Sequence, residues 1–278
     1  MPELPEVERA RRLLESVAAG RVITSCRCAD DEIVFDGATP RTFARTLTGR
    51  RVVAARRRGK QLWLELDRPP HLLMHLGMTG HVRTPDDEGL VYEAGAAKTD
   101  TSWPPKFWKL HAFLDDGGEF VMTNARRLGR IRLRKDPEGE PPISDLGFDA
   151  LHELPPLREF RRRLEGRRGN VKGLLMDQRF AAGVGNWIAD EVLYQARIDP
   201  RRAISSLDED EVKRLRDRLA KVITTACRVN ADKRDFPSSW LFHHRWGRNS
   251  EATTSDGRRI EHLTLGGRST AWVPEVQK

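Results

Sequence analysis

The apolar pattern changes period near residue 136, and that change commits the chain to two differently built halves. Residues 4 to 18 read as a helix opened by Pro5, with Leu4, Val7, Leu14 and Val17 at helical spacing. From about 20 to 135 the runs are short and strand-like: Ile33-Val34-Phe35, Leu62 to Leu66, Leu72-Leu73-Met74, and Leu110 to Leu114. The last is followed by Asp115-Asp116-Gly117-Gly118 and a return run from Glu119 to Met122. This half reads as a β-sandwich with a leading helix. A stretch rich in proline and acid, DPEGEPPISD at 136–145, reads as the linker. Helical patterns then occupy 157–165, 170–178, 187–196 and 208–229. The last 40 residues alternate again, with turn signals at Asp256-Gly257 and Gly266-Gly267. The class is therefore α+β, and 278 residues suffice for two domains.

Charge separates the partners such a chain can have. Lys plus Arg total 49 against 41 acids, a formal charge of +8. Eighteen of the 49 fall in three stretches, RRVVAARRRGK at 50–60, RRLGRIRLRK at 126–135 and RRRLEGRRGNVK at 161–172. Clusters of this kind neutralise phosphates, provided that the fold brings them together. Arginine dominates, which suits bidentate phosphate contacts. No apolar run approaches the ~18 residues of a membrane span, and the opening MPELPEVERA is too charged for a signal peptide. Cys26, Cys28 and Cys227 form no C-x-x-C pair, which points to a reducing compartment and away from disulfides or a cysteine-rich zinc site.

Several local patterns carry chemistry. If Met1 is removed, Pro2 presents a secondary amine titrating near ~8, and such an amine can attack an electrophilic carbon, although many proteins begin Met-Pro without such a role. Glu3 beside it becomes a general acid if burial raises its pKa. Glu6, one turn on, either orients that site or only favours the helix N-terminus. The turn Ala182-Gly183-Val184-Gly185-Asn186 places an asparagine where it can cap a helix starting at Trp187; it is either a phosphate-binding helix start or an ordinary link.

MPELPEVE, Arg58-Gly59-Lys60, His75-Leu76-Gly77-Met78-Thr79-Gly80, Arg126-Arg127, Val184-Gly185-Asn186 and Gly266-Gly267-Arg268-Ser269-Thr270 occur in this order along the chain. Together they resemble the formamidopyrimidine-DNA glycosylase family, whose relatives include endonuclease VIII. The ending is similar to the plant and fungal branch: residues 240–278 contain no cysteine, so a four-cysteine zinc finger is excluded there. Trp246, Ile260, Leu263 and Trp272 are the packing candidates for that hairpin, and His243, His244 and His262 read as surface or packing residues rather than metal ligands.

The resemblance implies an N-terminal helix plus two-layered β-sandwich (1–135), a linker (136–150), a helix-two-turn-helix domain (151–235) and a zincless finger (236–278). It implies a bifunctional glycosylase and abasic-site lyase of base excision repair that removes oxidised purines through a Schiff base on Pro2, with β,δ-elimination. Glu3 would assist opening of the deoxyribose ring, Lys60 would donate a proton, and Arg268 would take part in δ-elimination. A base inside a duplex must be flipped out and its gap filled. Met78, Arg126 and Leu128 match the filler positions, with Leu128 standing where the family's loop carries phenylalanine; the residues alone leave Met78 and Leu128 open to a plain core role. His111, Arg127, Arg168, Lys172, Asn186 and Arg268 match phosphate contacts or stand beside them, and His75 either touches the backbone or is a buried, hydrogen-bonded histidine.

No cofactor and no metal are implied, and the partner is double-stranded DNA containing oxidised bases or abasic sites. The expected state is a monomer without membrane attachment, at the nucleoid in a bacterial cytoplasm or in the nucleus of a eukaryote. The stretch Asn230–Ser239 is short beside the loop that covers a flipped 8-oxoguanine in bacterial enzymes, so formamidopyrimidines and further-oxidised guanines are expected to be better substrates. A non-cleaving lesion-binding protein and, less favoured, a structural RNA-binding protein are the alternatives.

Overall fold

The computed structural model describes residues 2–87, 102–246 and 251–278; Met1, whose removal the Pro2 reading requires, lies outside them. The chain divides into two units, Met1–Asp145 and Leu146–Lys278.

The first unit opens with helix α1 (Leu4–Ala18), as its spacing predicts, followed by β1 (Ile23–Cys28), α2 (Pro40–Leu47), β2 (Val52–Arg58), β3 (Gln61–Leu66), β4 (His71–His75), β5 (Gly80–Arg83), β6 (Trp108–Leu114), β7 (Glu119–Asn124) and β8 (Arg130–Arg134). The strands make two four-stranded antiparallel sheets, ordered β1-β6-β7-β5 and β2-β3-β4-β8. One core joins them: Leu62, Leu64, Leu72 and Met74 from one sheet, Leu110, Ala112, Phe120 and Met122 from the other, and Val7 and Leu14 from α1. α1 packs on β2 and β3 of one sheet and on β5 and β7 of the other, which fixes its N-terminus against both layers.

Three local expectations change. Ile33-Val34-Phe35 is a turn, not a strand: Asp31 accepts the amides of Ile33 and Val34, and Phe35 makes only an isolated bridge to Ile131. Residues 40–47 form a helix that the apolar pattern missed, although Thr39 caps it through the Thr42 amide and Pro40 opens it. The Pro-rich stretch 136–145 belongs to the first unit, and Ile143 is buried against Trp63 and Leu73.

The second unit contains a short parallel pair, β9 (Phe148–Asp149) with β10 (Ala181–Ala182), and helices α3 (Leu157–Arg162), α4 (Val171–Met176), α5 (Asn186–Ala196) and α6 (Glu209–Arg228). Asp208 and Glu211 form a reciprocal capping box that starts α6. α5 is central, packing on α4, α6 and the terminal hairpin of β11 (Glu261–Leu265) and β12 (Arg268–Trp272). Gly266 and Gly267 turn that hairpin with φ of +53° and +73°, angles glycine adopts without a Cβ clash. Leu241, Ile260, Ala271 and Val273 form its core. Of the expected packing residues, Ile260 and Trp272 are buried and Leu263 half-buried, whereas Trp246 is 40% exposed, meets Phe242 edge to face and lies under the Arg245 guanidinium.

Candidate active site

The front of α1 concentrates buried acids. Glu3 is its N-cap and forms a capping box with Glu6, the Glu3 amide donating to Glu6 Oε2 at 2.9 Å. Pro2, Glu3 and Glu6 are all buried. Burial, and then the charge of Glu3, raise the Glu6 pKa from its ordinary 4.5 to about 7. The folded protein therefore keeps a proton on Glu6 that the unfolded chain releases near pH 4.5, so the stability contributed by this group falls as pH rises from there to about 7, by about 3 kcal/mol. Glu6→Gln retains an oxygen to accept the Glu3 amide and has no proton to lose. Urea unfolding at pH 5 and pH 8 is expected to show the variant gaining on the wild type by up to about 3 kcal/mol across the interval, a difference in which the contributions of the histidines and other acids cancel. A constant difference between the two proteins would remove the assignment.

Two residues further along, Glu8 is buried and ion-paired to Arg57 at 3.0 Å and to Arg11 and Arg12. Burial acts to raise its pKa, but hydrogen bonds from Arg11 and Arg57 outweigh that and hold it below the ordinary value. Arg57 also donates to the Gly59 carbonyl. A buried ion pair thus fixes the β2–β3 turn, where half-buried Lys60 follows Gly59, to the helix that follows Pro2 and Glu3. His75 lies across from Gln61 in the β3–β4 register. Burial first, and Lys60 next, push its pKa down to about 4, and its Nδ1 accepts the Gly77 amide at 3.2 Å. It is half-buried, hydrogen-bonded through Nδ1 and neutral at physiological pH, an arrangement compatible with both readings. His81 on β5, which sequence reading did not single out, is likewise lowered to about 4 by burial.

The loop after β7 carries Arg126, Arg127 and Leu128, all exposed. Arg127 has φ of +54° and is held by Asp31, which also takes Lys109 at 2.7 Å. Against the cost of burial, those two cations bring Asp31 down to about 2. Leu128 is 45% exposed and Met78 half-buried, so neither is a plain core residue. His111 corrects the expectation: it is buried, bonds Glu119 through Nε2 and packs against Trp103, Trp108 and Phe113, so it is not offered to a phosphate.

In the second unit the residues gather around β12. Asn186 is the first helical residue of α5, with Gly185 rather than Asn186 as N-cap, and its Nδ2 donates to the Ser269 carbonyl at 2.8 Å. Lys172 is the second correction. It is 1% exposed, and its ammonium donates to the Ser269 carbonyl and Thr270 Oγ1 and pairs with Asp190 at 2.7 Å, so it supports the hairpin from beneath rather than meeting a phosphate. Asp190 also pairs with Arg245 at 2.6 Å and accepts the Ala271 amide. These contacts fix the strand that starts at exposed Arg268. Arg168 is exposed, while its neighbour Arg167 pairs with Asp177 and lies over Phe180. Sequence reading missed Asp190, Arg245 and Glu191. The available signal was the acid pair inside the apolar run WIADEVL, because acids surrounded by core positions need buried partners.

The chain matches the formamidopyrimidine-DNA glycosylase N-terminal domain over residues 1–131 and the H2TH domain of the same enzymes over 146–238. It is 44% identical over 278 residues to a formamidopyrimidine-DNA glycosylase of Arabidopsis thaliana, spanning all of this chain and 71% of that protein. It is 36% identical over 296 residues to the Heliobacterium modesticaldum protein of the same name, over the full length of both. Among solved structures, MutM in complex with DNA containing carbocyclic 8-oxo-G superposes with a TM-score of 0.81 at 25% identity over all of both chains. The Lactococcus lactis enzyme bound to DNA containing an abasic site gives the same score at 24% identity, over 99% of each, a likeness of fold. The chain belongs to the formamidopyrimidine-DNA glycosylase family.

Proposed function

We propose that this DNA glycosylase is bifunctional, excising oxidised purines and then cutting the strand through a covalent intermediate on Pro2. With Met1 removed, the Pro2 nitrogen attacks C1′ of the damaged nucleotide, the base leaves with a proton, and the ring opens to an iminium on C1′. Because that nitrogen carries two carbon substituents, the iminium stays positively charged and accepts the electron pair when a C2′ proton is removed. The 3′-phosphate leaves in this β-elimination and the 5′-phosphate in the following δ-elimination. Glu3, buried at the same helix start, protonates the ring oxygen; Lys60 transfers a proton; Arg268 assists δ-elimination. Arg126, Arg127, Arg168 and Asn186 contact DNA, and Met78 and Leu128 fill the gap left by the flipped nucleotide.

The observation that carries this reading is the cluster of Pro2, Glu3 and Glu6 buried together at the N-terminus of α1. A hydrolytic enzyme using water as nucleophile has no need for that arrangement. Formamidopyrimidines and further-oxidised guanines are the preferred substrates on the shortness of Asn230–Ser239. The enzyme works as a monomer, in the nucleoid of a bacterial cell or the nucleus of a eukaryotic one. Incubation with abasic-site duplex and borohydride is expected to give a covalent adduct that peptide mapping assigns to Pro2. Tight lesion binding without an adduct would favour a non-cleaving binder instead.

A further inference from the structure

Phe107 is among the most exposed large apolar side chains of the described residues, 61% accessible, and it sits at φ of +61°. Each fact is unusual alone. A bulky residue seldom adopts positive φ, and such strain persists where surrounding structure imposes it, often at functional sites. Phe107 directly precedes β6, whose pairing with β7 is irregular between Trp108 and Leu110.

The backbone around it explains where this side chain is mounted. The amide of Asn124 donates to the Phe107 carbonyl at 2.9 Å. The Asn124 side chain, fully buried, donates through Nδ2 to the Leu76 carbonyl and accepts the Gly129 amide. One asparagine therefore ties three loops: that of Leu76, Gly77 and Met78, that of Arg126 to Gly129, and the approach to β6 that carries Phe107. The first two are in direct contact, since a Cβ on Gly77 would lie 2.5 Å from the Leu128 carbonyl carbon. Each loop presents one large apolar side chain that is not fully buried: Met78, Leu128 and Phe107. Of the five non-glycine residues with positive φ among those described, two, Phe107 and Arg127, lie in these linked loops.

We propose that Phe107 is a further, aromatic member of the duplex-probing set, stacking its ring on a base beside the lesion once the nucleotide has left the helix. This rests on the reading of Met78, Arg126 and Leu128 as the gap-filling group. Leucine at 128 gives that group an aliphatic wedge without a π-face, and Phe107 supplies an aromatic face on a loop tied to the same asparagine. A stacked ring discriminates unstacked from fully stacked DNA, because intact base steps leave no free face to cover.

The test compares equilibrium binding of wild type, Phe107→Ala and Phe107→Trp to two duplexes of one sequence, undamaged and with a tetrahydrofuran abasic analogue. Phe107→Ala is expected to bind the tetrahydrofuran duplex about 10-fold more weakly, with undamaged DNA little affected, and Phe107→Trp to retain lesion affinity. Unchanged lesion affinity in the alanine variant, or an equal loss on both duplexes, would overturn the proposal. Borohydride trapping by the unaltered protein is run alongside: its absence removes the Pro2 reading, whereas the affinity comparison reads the Phe107 role by itself. Phe107 is exposed, so thermal melting of the variants verifies that folded proteins are compared.

Discussion

Asp190→Ala is expected to destabilise the second unit by about 3–5 kcal/mol, the cost typical of removing one partner from a buried ion pair. Asp190 is 1% exposed and lies between two cations that are themselves buried, the Lys172 ammonium at 2.7 Å and the Arg245 guanidinium at 2.6 Å, and it also accepts the Ala271 amide. Alanine leaves two desolvated positive charges close together and an amide of β12 without its acceptor. Asp190→Asn keeps an acceptor but not the charge, and is expected to fall between. Urea unfolding followed by tryptophan fluorescence reads the effect, since Trp187, Trp240 and Trp272 are buried in this unit. Because the same carboxylate holds the strand beginning at Arg268, the alanine variant is also expected to lose DNA affinity under conditions where it stays folded. Wild-type stability in Asp190→Ala would mean that the network contributes nothing net.

That network also marks where sequence reading stops. Elements whose apolar residues follow one period were legible: α1 runs Leu4–Ala18 as the spacing of Leu4, Val7 and Leu14 predicts, and the helices read at 187–196 and 208–229 correspond to α5 and α6. β8 was hidden in an arginine-rich run that charge alone assigned to phosphate. Its alternation of Arg130, Ile131, Arg132, Leu133 and Arg134 is a strand pattern, with Ile131 in the core and Arg132 paired to Asp36. Lys172 and His111 failed for a related reason. A polar side chain's partner can come from any distance along the chain, and neither Asp190 for Lys172 nor Glu119 for His111 is marked by spacing. The hairpin turn just before Arg268 was legible because Gly266-Gly267 is a local signal. Asn124, which binds three loops, has no local signal, since its acceptors and donors lie at 76, 107 and 129.

Placing one residue ahead of Pro2 that cannot be processed away is expected to abolish both borohydride trapping and strand cutting, with cleavage falling by at least about 1,000-fold. The extension turns the ring nitrogen into a tertiary amide, whose lone pair is delocalised into the carbonyl and cannot attack C1′. The α1 contacts that depend on Glu3, Glu6 and Glu8 remain, because the capping box and the Arg57 ion pair use groups after Pro2. Circular dichroism and binding to a tetrahydrofuran duplex then separate lost chemistry from lost folding. Pro2→Gly is the complementary variant: once Met1 is removed its amine is primary, so an imine still forms but must stay protonated to act as an electron sink. Its trapping should persist while elimination slows. An extended chain that released damaged bases at the native rate would require water as nucleophile, and the buried acids at the front of α1 would then need another explanation.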